Sequence, residues 1–105
     1  MTERAYVVLM RIHLHFPEAS SLKGKRAELN RVKALLRERL HVSVAEVAHR
    51  DTWQRSTLAV AIAAGTAAGA EHAADDVQRA LDSRLPQGVL VERRLASWAD
   101  LESLG

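Results

Sequence analysis

Residues 20–49 read SSLKGKRAELNRVKALLRERLHVSVAEVAH, and this stretch decides the fold. Its leucines and valines recur at steps of three, four and seven residues, which at about 100° per residue places them along one stripe of a helix. The members of this apolar stripe are Leu22, Leu29, Val32, Leu36 and Leu40. The pattern predicts one long amphipathic helix that runs directly into a short strand. Ser20 or Ser21 is placed to cap the helix, because a serine oxygen accepts from the free N–H groups of a first turn.

A line of cations runs beside the apolar stripe, and we name it the basic flank. Its members are Lys23, Arg26, Lys33 and Arg37. The acidic residues Glu28 and Glu38 project from other sides of the helix and do not neutralise it. Cations spaced along a helix can follow a sugar–phosphate backbone, so the flank predicts contact with RNA. The alternative is a solvated flank whose long side chains cover the edge of the core.

The composition is that of one soluble domain covering residues 1–105. Only 4% of the residues are aromatic, so the core must be aliphatic. The absence of cysteine excludes disulfides and thiolate metal sites and fits a reducing cytoplasm. No apolar run approaches the roughly 20 residues of a membrane span, and the N-terminus lacks the pattern of a secretory signal. We therefore expect a cytoplasmic protein without a membrane partner.

The remaining elements follow from alternation and turn residues. Period-two patterns predict strands at residues 5–16, 42–49, 55–64 and 89–98, and a second amphipathic helix ends near residue 85. The order βαββαβ predicts a ferredoxin-like α+β fold, a four-stranded antiparallel sheet with both helices on one face. The facing of strand 42–49 stays open, because Val42 and Val44 share a face with Glu46. The tail at residues 99–105 either packs back or frays.

Two stretches resemble the YlxP-like family of small bacterial proteins, a family of unknown function. They are SLKGKR at residues 21–26 and VSVAEVAHRDTWQRSTL at residues 42–58. The resemblance covers nearly the whole chain and implies the same ferredoxin-like fold. It also implies a bacterial cytoplasmic protein whose gene lies among those for translation initiation and ribosome maturation, and hence association with RNA or the ribosome. The sequence departs from the family at Gly24, where a Glu would complete a capping box with Ser21.

The loop between the second and third strands is a second candidate for RNA contact. Trp53 can stack on a base and Arg55 can pair with a phosphate. The alternative is structural: Asp51 turns the chain and Trp53 closes the end of the sheet.

Few features of the sequence indicate a metal site or a catalytic site. His13 and His15, with Glu46 or His49, have the side chains of a metal site, but no third ligand is placed by the pattern. The sequence has neither a nucleophile elbow nor a phosphate-binding glycine loop. We therefore expect no catalytic residues, metal or cofactor. An enzyme that uses a histidine as acid or base is the lesser alternative.

The sheet face away from the helices is predicted to carry an apolar patch and no aromatic side chains, and it turns polar at Arg11, His13 and His15. The members of the patch include Val7, Leu9, Ala59, Ala61 and Ala63. Base stacking on the sheet is therefore not expected. Soluble monomers rarely expose such a patch, which predicts a homodimer that packs sheet on sheet, or a cover formed by the tail. A homodimeric protein–protein interaction module is accordingly the rival to an RNA-associated accessory protein.

Overall fold

A computed structural model of the chain describes residues 4–104. Residues 1–3, and residue 105 at the end of the predicted tail, lie outside the described residues. The strands are β1 (Tyr6–His15), β2 (Ser43–Ala48), β3 (Arg55–Ala64) and β4 (Val89–Ser97). The helices are α1 (Leu22–Ala34), α2 (Ala67–Arg84) and the short α3 (Trp98–Glu102).

The four strands form one antiparallel sheet in the order β2-β3-β1-β4. Strand β1 pairs along its whole length with β3, and on its other side with β4. Strands β2 and β4 are therefore the two edges. This arrangement, with two long helices against one face, confirms the predicted ferredoxin-like fold.

The core lies between the sheet and the two long helices. Alternation decides which side chains enter it, because successive residues of a strand point to opposite faces. From β1 the buried residues are Val8, Met10, Ile12 and Leu14. The helices contribute Leu29, Val32 and Leu36 from α1 and Ala70, Ala74, Val77 and Leu81 from α2. The predicted apolar stripe is thus the buried one, although Leu22 and Leu40 at its ends are only partly buried.

The pairing of β2 with β3 shows which side chains of β2 point toward the helices. Val44 lies opposite the buried Val60, and Glu46 opposite the buried Leu58, so both project toward the helices. Ser43 and Ala45 therefore project from the other face of the sheet. A carboxylate consequently enters the edge of the core, which the alternating pattern alone left undecided.

The first helix differs from its prediction at its C-terminal end. Ser21 caps α1, and its Oγ accepts from the Gly24 N–H at 3.0 Å, so half of a capping box forms. After Ala34 the chain continues as a π-helical turn, Leu35–Arg39. A periodic apolar pattern does not distinguish the two conformations, because Leu36 is buried in this turn as it would be in an α-helix.

The tail is ordered differently from either expectation. Residues Trp98–Glu102 form α3, which a capping box between Ser97 and Asp100 begins. The Trp98 N–H donates to the Ala5 carbonyl at 3.0 Å, which fixes the start of α3 beside β1. Leu9 remains 52% exposed, so the tail does not cover the sheet.

Candidate nucleic-acid interface

The basic flank of α1 lies over the edge strand β2. The Arg26 guanidinium contacts the Glu46 carboxylate at 2.5 Å and donates to the Arg50 carbonyl at 2.9 Å. Arg37, in the π-helical turn, donates to the Val44 carbonyl at 2.8 Å. Both arginines therefore reach the same side of the helix, as the spacing predicted. Arg37 thereby also occupies a backbone acceptor of the edge strand β2 that would otherwise be open to another strand.

The four members of the basic flank differ in how far they are neutralised. No carboxylate within residues 4–104 lies within 4.0 Å of the cations of Lys23, Lys33 or Arg37. Arg26 instead makes its ion pair with Glu46, whose side chain is only 3% exposed. Three cations thus keep their charge available to an external anion, whereas Arg26 belongs to the protein's own structure.

Lys25 and Glu46 form a buried polar cluster that the sequence analysis missed. Lys25 is fully buried, and its Nζ donates to the carbonyls of His49 at 2.7 Å and Arg50 at 3.2 Å. Its distance to Glu46 Oε2 is 3.7 Å, and the Ser56 hydroxyl donates to the same oxygen at 3.0 Å. We name these two side chains, with Arg26 and Ser56, the Lys25–Glu46 cluster. It ties the start of α1 to the chain that leaves β2.

The pattern contained a signal for this cluster. Lys25 stands seven residues before Val32 and four before Leu29, which is a position on the apolar stripe. No apolar residue stands on the stripe between Leu22 and Leu29, and Lys25 occupies the position where one would be expected. A lysine at a core position requires a buried anion or carbonyl partner, and Glu46 between apolar residues of β2 was the available carboxylate.

Opposing effects set the pKa values in the Lys25–Glu46 cluster. Burial alone would raise the pKa of the Glu46 carboxyl, but hydrogen bonds from Arg26 and Ser56 and the nearby cations outweigh it and hold that pKa below its ordinary value. Burial lowers the pKa of the Lys25 ammonium, and the Glu46 charge opposes this only in part. The carboxylate is therefore firmly ionised at neutral pH.

Acid should weaken the fold through this carboxylate. Because its folded pKa is depressed, the stabilisation from Glu46 is fully present above the ordinary value of 4.5 and is lost as the pH falls through the folded pKa. We expect the contribution of Glu46 to the free energy of unfolding to be constant from neutral pH down to the ordinary pKa of 4.5 and to fall below it, as denaturant titration would measure. Glu46→Gln should make that fall shallower. An equally steep fall in the variant would place the acid sensitivity elsewhere.

The loop at residues 49–54 adjoins the N-terminal end of the basic flank. His49, at φ +62°, turns the chain, and its carbonyl accepts from the Thr52 N–H at 3.3 Å. Gln54 anchors the far end through its side chain, which donates to the Pro17 carbonyl at 3.2 Å. Trp53 is 53% exposed, so it does not close the sheet end as the structural alternative required. Arg55 is exposed at the first position of β3.

His13, which was considered above as a metal ligand, has other partners in the structure. His13 Nε2 lies 2.8 Å from Glu92 Oε1 of β4, and Nδ1 lies 3.2 Å from the Thr57 hydroxyl. Glu46 projects from the opposite face of the sheet, so Glu46 and His13 cannot bind the same metal ion. Within residues 4–104 no group of three acidic or histidine side chains is placed to hold a metal ion.

Fold and site together define a small ferredoxin-like α+β protein with a partly neutralised basic helix at one sheet edge. The chain belongs to the family described as Protein of unknown function (DUF503), whose model matches residues 7–94. The uncharacterized protein YlxP of Bacillus subtilis strain 168 is 33% identical over 66 residues, which are 63% of this chain and 72% of that protein. These matches confirm the YlxP-like resemblance.

Among solved structures, the de novo designed protein Foldit4 superposes with a TM-score of 0.54 at 18% identity, covering 88% of this chain and 96% of that one. A likeness at this identity bears on the fold alone. In the part of the chain from residue 4 to residue 104, no helix is long and apolar enough to cross a membrane.

Proposed function

We propose that this protein is a non-enzymatic accessory protein of the bacterial cytoplasm that associates with structured RNA or the ribosome through its basic flank. The observation that carries the proposal is the distribution of unneutralised cations. Lys23, Lys33 and Arg37 have no carboxylate partner within the described residues, and all three belong to one side of the first helix. Elsewhere Arg31, Arg79 and Arg93 are each paired with a carboxylate. Within the described residues Arg39, Arg55 and Arg94 also lack such a partner, so the flank is distinguished by having three such cations in one row.

The spacing suits a phosphate backbone. Lys23 and Arg37 are fourteen positions apart, which corresponds to about 21 Å along the axis at about 1.5 Å per residue. Arg37 uses one N–H for the Val44 carbonyl and keeps further donors of its guanidinium for an external oxygen. A row of this kind contacts phosphates without reading base edges, so recognition follows shape and charge.

The loop extends the same surface. Arg26 donates to the Arg50 carbonyl, which joins the loop at residues 49–54 to the flank. Trp53, half exposed in that loop, is available for stacking on an unpaired base, and Arg55 follows it. The proposed contact set is therefore Lys23, Lys33 and Arg37, with Trp53 and Arg55 at one end. Arg26 supports it from the protein side.

The test is binding of a labelled RNA hairpin and of purified ribosomal subunits by a triple variant, Lys23→Glu, Lys33→Glu and Arg37→Glu. Loss of three phosphate contacts should abolish binding at moderate salt and reduce the slope of log K against log salt by about 2–3, at about 0.7–0.9 per phosphate. Arg26 is left unchanged, because a carboxylate at that position would face Glu46. Trp53→Ala should weaken binding further only where the loop also contacts RNA.

A matched control separates position from net charge. The variant Arg31→Glu, Arg39→Glu and Arg79→Glu changes the total charge equally on exposed side chains outside the basic flank. It should keep most of the affinity. The proposal is wrong when the two triple variants bind alike, or when the wild type binds neither probe.

A further inference from the structure

The sheet face opposite the helices has two halves of different relief. On β1 and β4 this face carries long side chains; they are Leu9, Arg11, His13, Leu90, Glu92 and Arg94. On β3 and β2 the central positions carry small ones; they are Thr57, Ala59, Ala61, Ala63, Ser43 and Ala45. The larger exposed side chains of these two strands lie toward one end, with Arg55 at the first position of β3 and Val47 at the bulge of β2. One half is therefore raised and the other is flat, and the boundary runs between β1 and β3 at the centre of the sheet.

This face is apolar enough to need a cover. Leu9 is 52% and Leu90 67% exposed, and Ala61 and Ala63 beside Leu9 are exposed as well. Leu9, Ala61 and Ala63 adjoin one another, whereas the Arg11–Glu92 ion pair lies between them and Leu90. An exposed apolar patch with a polar rim marks an interaction site. Helix α3 leaves these leucines exposed, so no described segment of the chain provides the cover.

The geometry points to a second copy of this chain as the occupant, packed sheet on sheet about a two-fold axis parallel to the strands between β1 and β3. That rotation exchanges the two halves of the sheet, so the raised half of each copy lies over the flat half of the other. Leu9 then packs over Ala61 of the second copy, and β4 lies over β2. The other in-plane axis, across the strands, would set raised half on raised half and leave the flat halves apart.

The available area is sufficient for a dimer. Strands β1 and β3 contain ten residues each, β4 nine and β2 six. At about 3.3 Å per residue and about 4.8 Å between strands, the footprint is about 550 Å² per copy. The total of about 1,100 Å² clears the roughly 1,000 Å² that a specific interface needs. Small residues on the flat half also allow the two sheets to approach to the usual distance of about 10 Å.

The polar side chains at the centre of this face already have partners within one copy. Arg11 pairs with Glu92 at 2.9 Å, and His13 contacts Glu92 at 2.8 Å and Thr57 at 3.2 Å. Their burial in a dimer would therefore leave no unpaired charge at the centre. Arg94 lies on the edge strand, where its long side chain can reach solvent from under the second sheet.

This dimer would keep both helical layers on the outside. The basic flank of each copy stays exposed, so the inference stands independently of the RNA proposal. It is tested on nuclease-treated protein, in which no nucleic acid can bridge two copies.

Sedimentation equilibrium of the wild type should give a dimer, and Ala61→Arg should raise its dissociation constant by about 100-fold or more, because the new charge is buried without a partner. Ala27→Arg is the matched control, since Ala27 is also an exposed alanine but lies on α1, and this variant should stay dimeric. Circular dichroism should show both variants folded.

Exchanging the side-chain sizes at Leu9 and Ala61 tests the orientation of the proposed two-fold axis. Ala61→Leu should weaken the dimer by overpacking against Leu9 of the second copy, and Leu9→Ala should weaken it by losing contact area. The double variant should recover most of the affinity, because the leucine and the alanine have only exchanged places. A wild type that sediments as a monomer at high concentration overturns the dimer. A dimer that Ala61→Arg leaves intact, or a double variant weaker than both single ones, overturns this interface.

Discussion

Glu46→Gln should lower the free energy of unfolding by about 3–5 kcal/mol, because it leaves the buried Lys25 and the partly buried Arg26 without their anion. Glu46 Oε1 lies 2.5 Å from Arg26 Nη1, and Oε2 lies 3.7 Å from the fully buried Lys25 Nζ. A glutamine of the same size accepts one of these contacts but presents its amide N–H₂ group to donors at the other. The carboxylate side chain is 3% exposed, so water cannot take its place.

Denaturant titration near neutral pH measures this loss directly as a shift in midpoint. Glu38→Gln serves as the control, because Glu38 is exposed in the π-helical turn and has no cation within 4.0 Å among residues 4–104. Its substitution should change the unfolding free energy by less than about 0.5 kcal/mol. Equal midpoints for Glu46→Gln and the wild type would mean that the cluster contributes nothing to stability.

The sequence predicted the fold because its pattern is regular where the structure is regular. In β1 every second residue from Val8 to Leu14 is apolar and buried. Strand β3 was predicted at its observed bounds for the same reason, since Leu58, Val60 and Ile62 alternate with small residues. Alternation in the two central strands β1 and β3, together with two periodic helices, leaves few other topologies.

The candidate site was less predictable, because it depends on contacts between distant residues. Arg26, Lys33 and Arg37 share a flank by spacing, which local geometry fixes. That Arg26 is neutralised depends on the partner from β2, twenty positions later. Trp53 was ambiguous because a loop residue has no periodicity that distinguishes a buried plug from an exposed ring. Only the tertiary structure separates the cation that holds the fold together from those available to a ligand.

The Lys25–Glu46 cluster also connects stability to the proposed interface. Lys25 donates to two successive carbonyls, at His49 and Arg50, where the chain leaves β2 toward Trp53. The residue His49 has a positive φ, a conformation that costs a non-glycine residue free energy and persists only when its surroundings hold it. The buried ammonium, together with Arg26, therefore holds the start of the loop beside the basic flank.

Lys25→Met should lower the free energy of unfolding by about 2–3 kcal/mol, less than Glu46→Gln. Methionine fills most of the same space and removes the cost of burying a charge, but the two carbonyls lose a charged donor. Arg26 and Ser56 still satisfy Glu46. Amide exchange at residues 49–54 should quicken more than exchange in β1, because the loop loses its anchor while the core remains.

Lys23→Met is the matched control, two positions away and exposed on the same helix, and it should change stability by less than about 0.5 kcal/mol. The double variant Lys25→Met, Glu46→Gln should cost less than the sum of its single variants, because each removes a charge that the other leaves unpaired. Strictly additive losses would show that Lys25 and Glu46 do not interact across their 3.7 Å separation. Unchanged amide exchange at residues 49–54 in Lys25→Met would mean that the hydrogen bonds of Lys25 to the two carbonyls do not hold this loop in place.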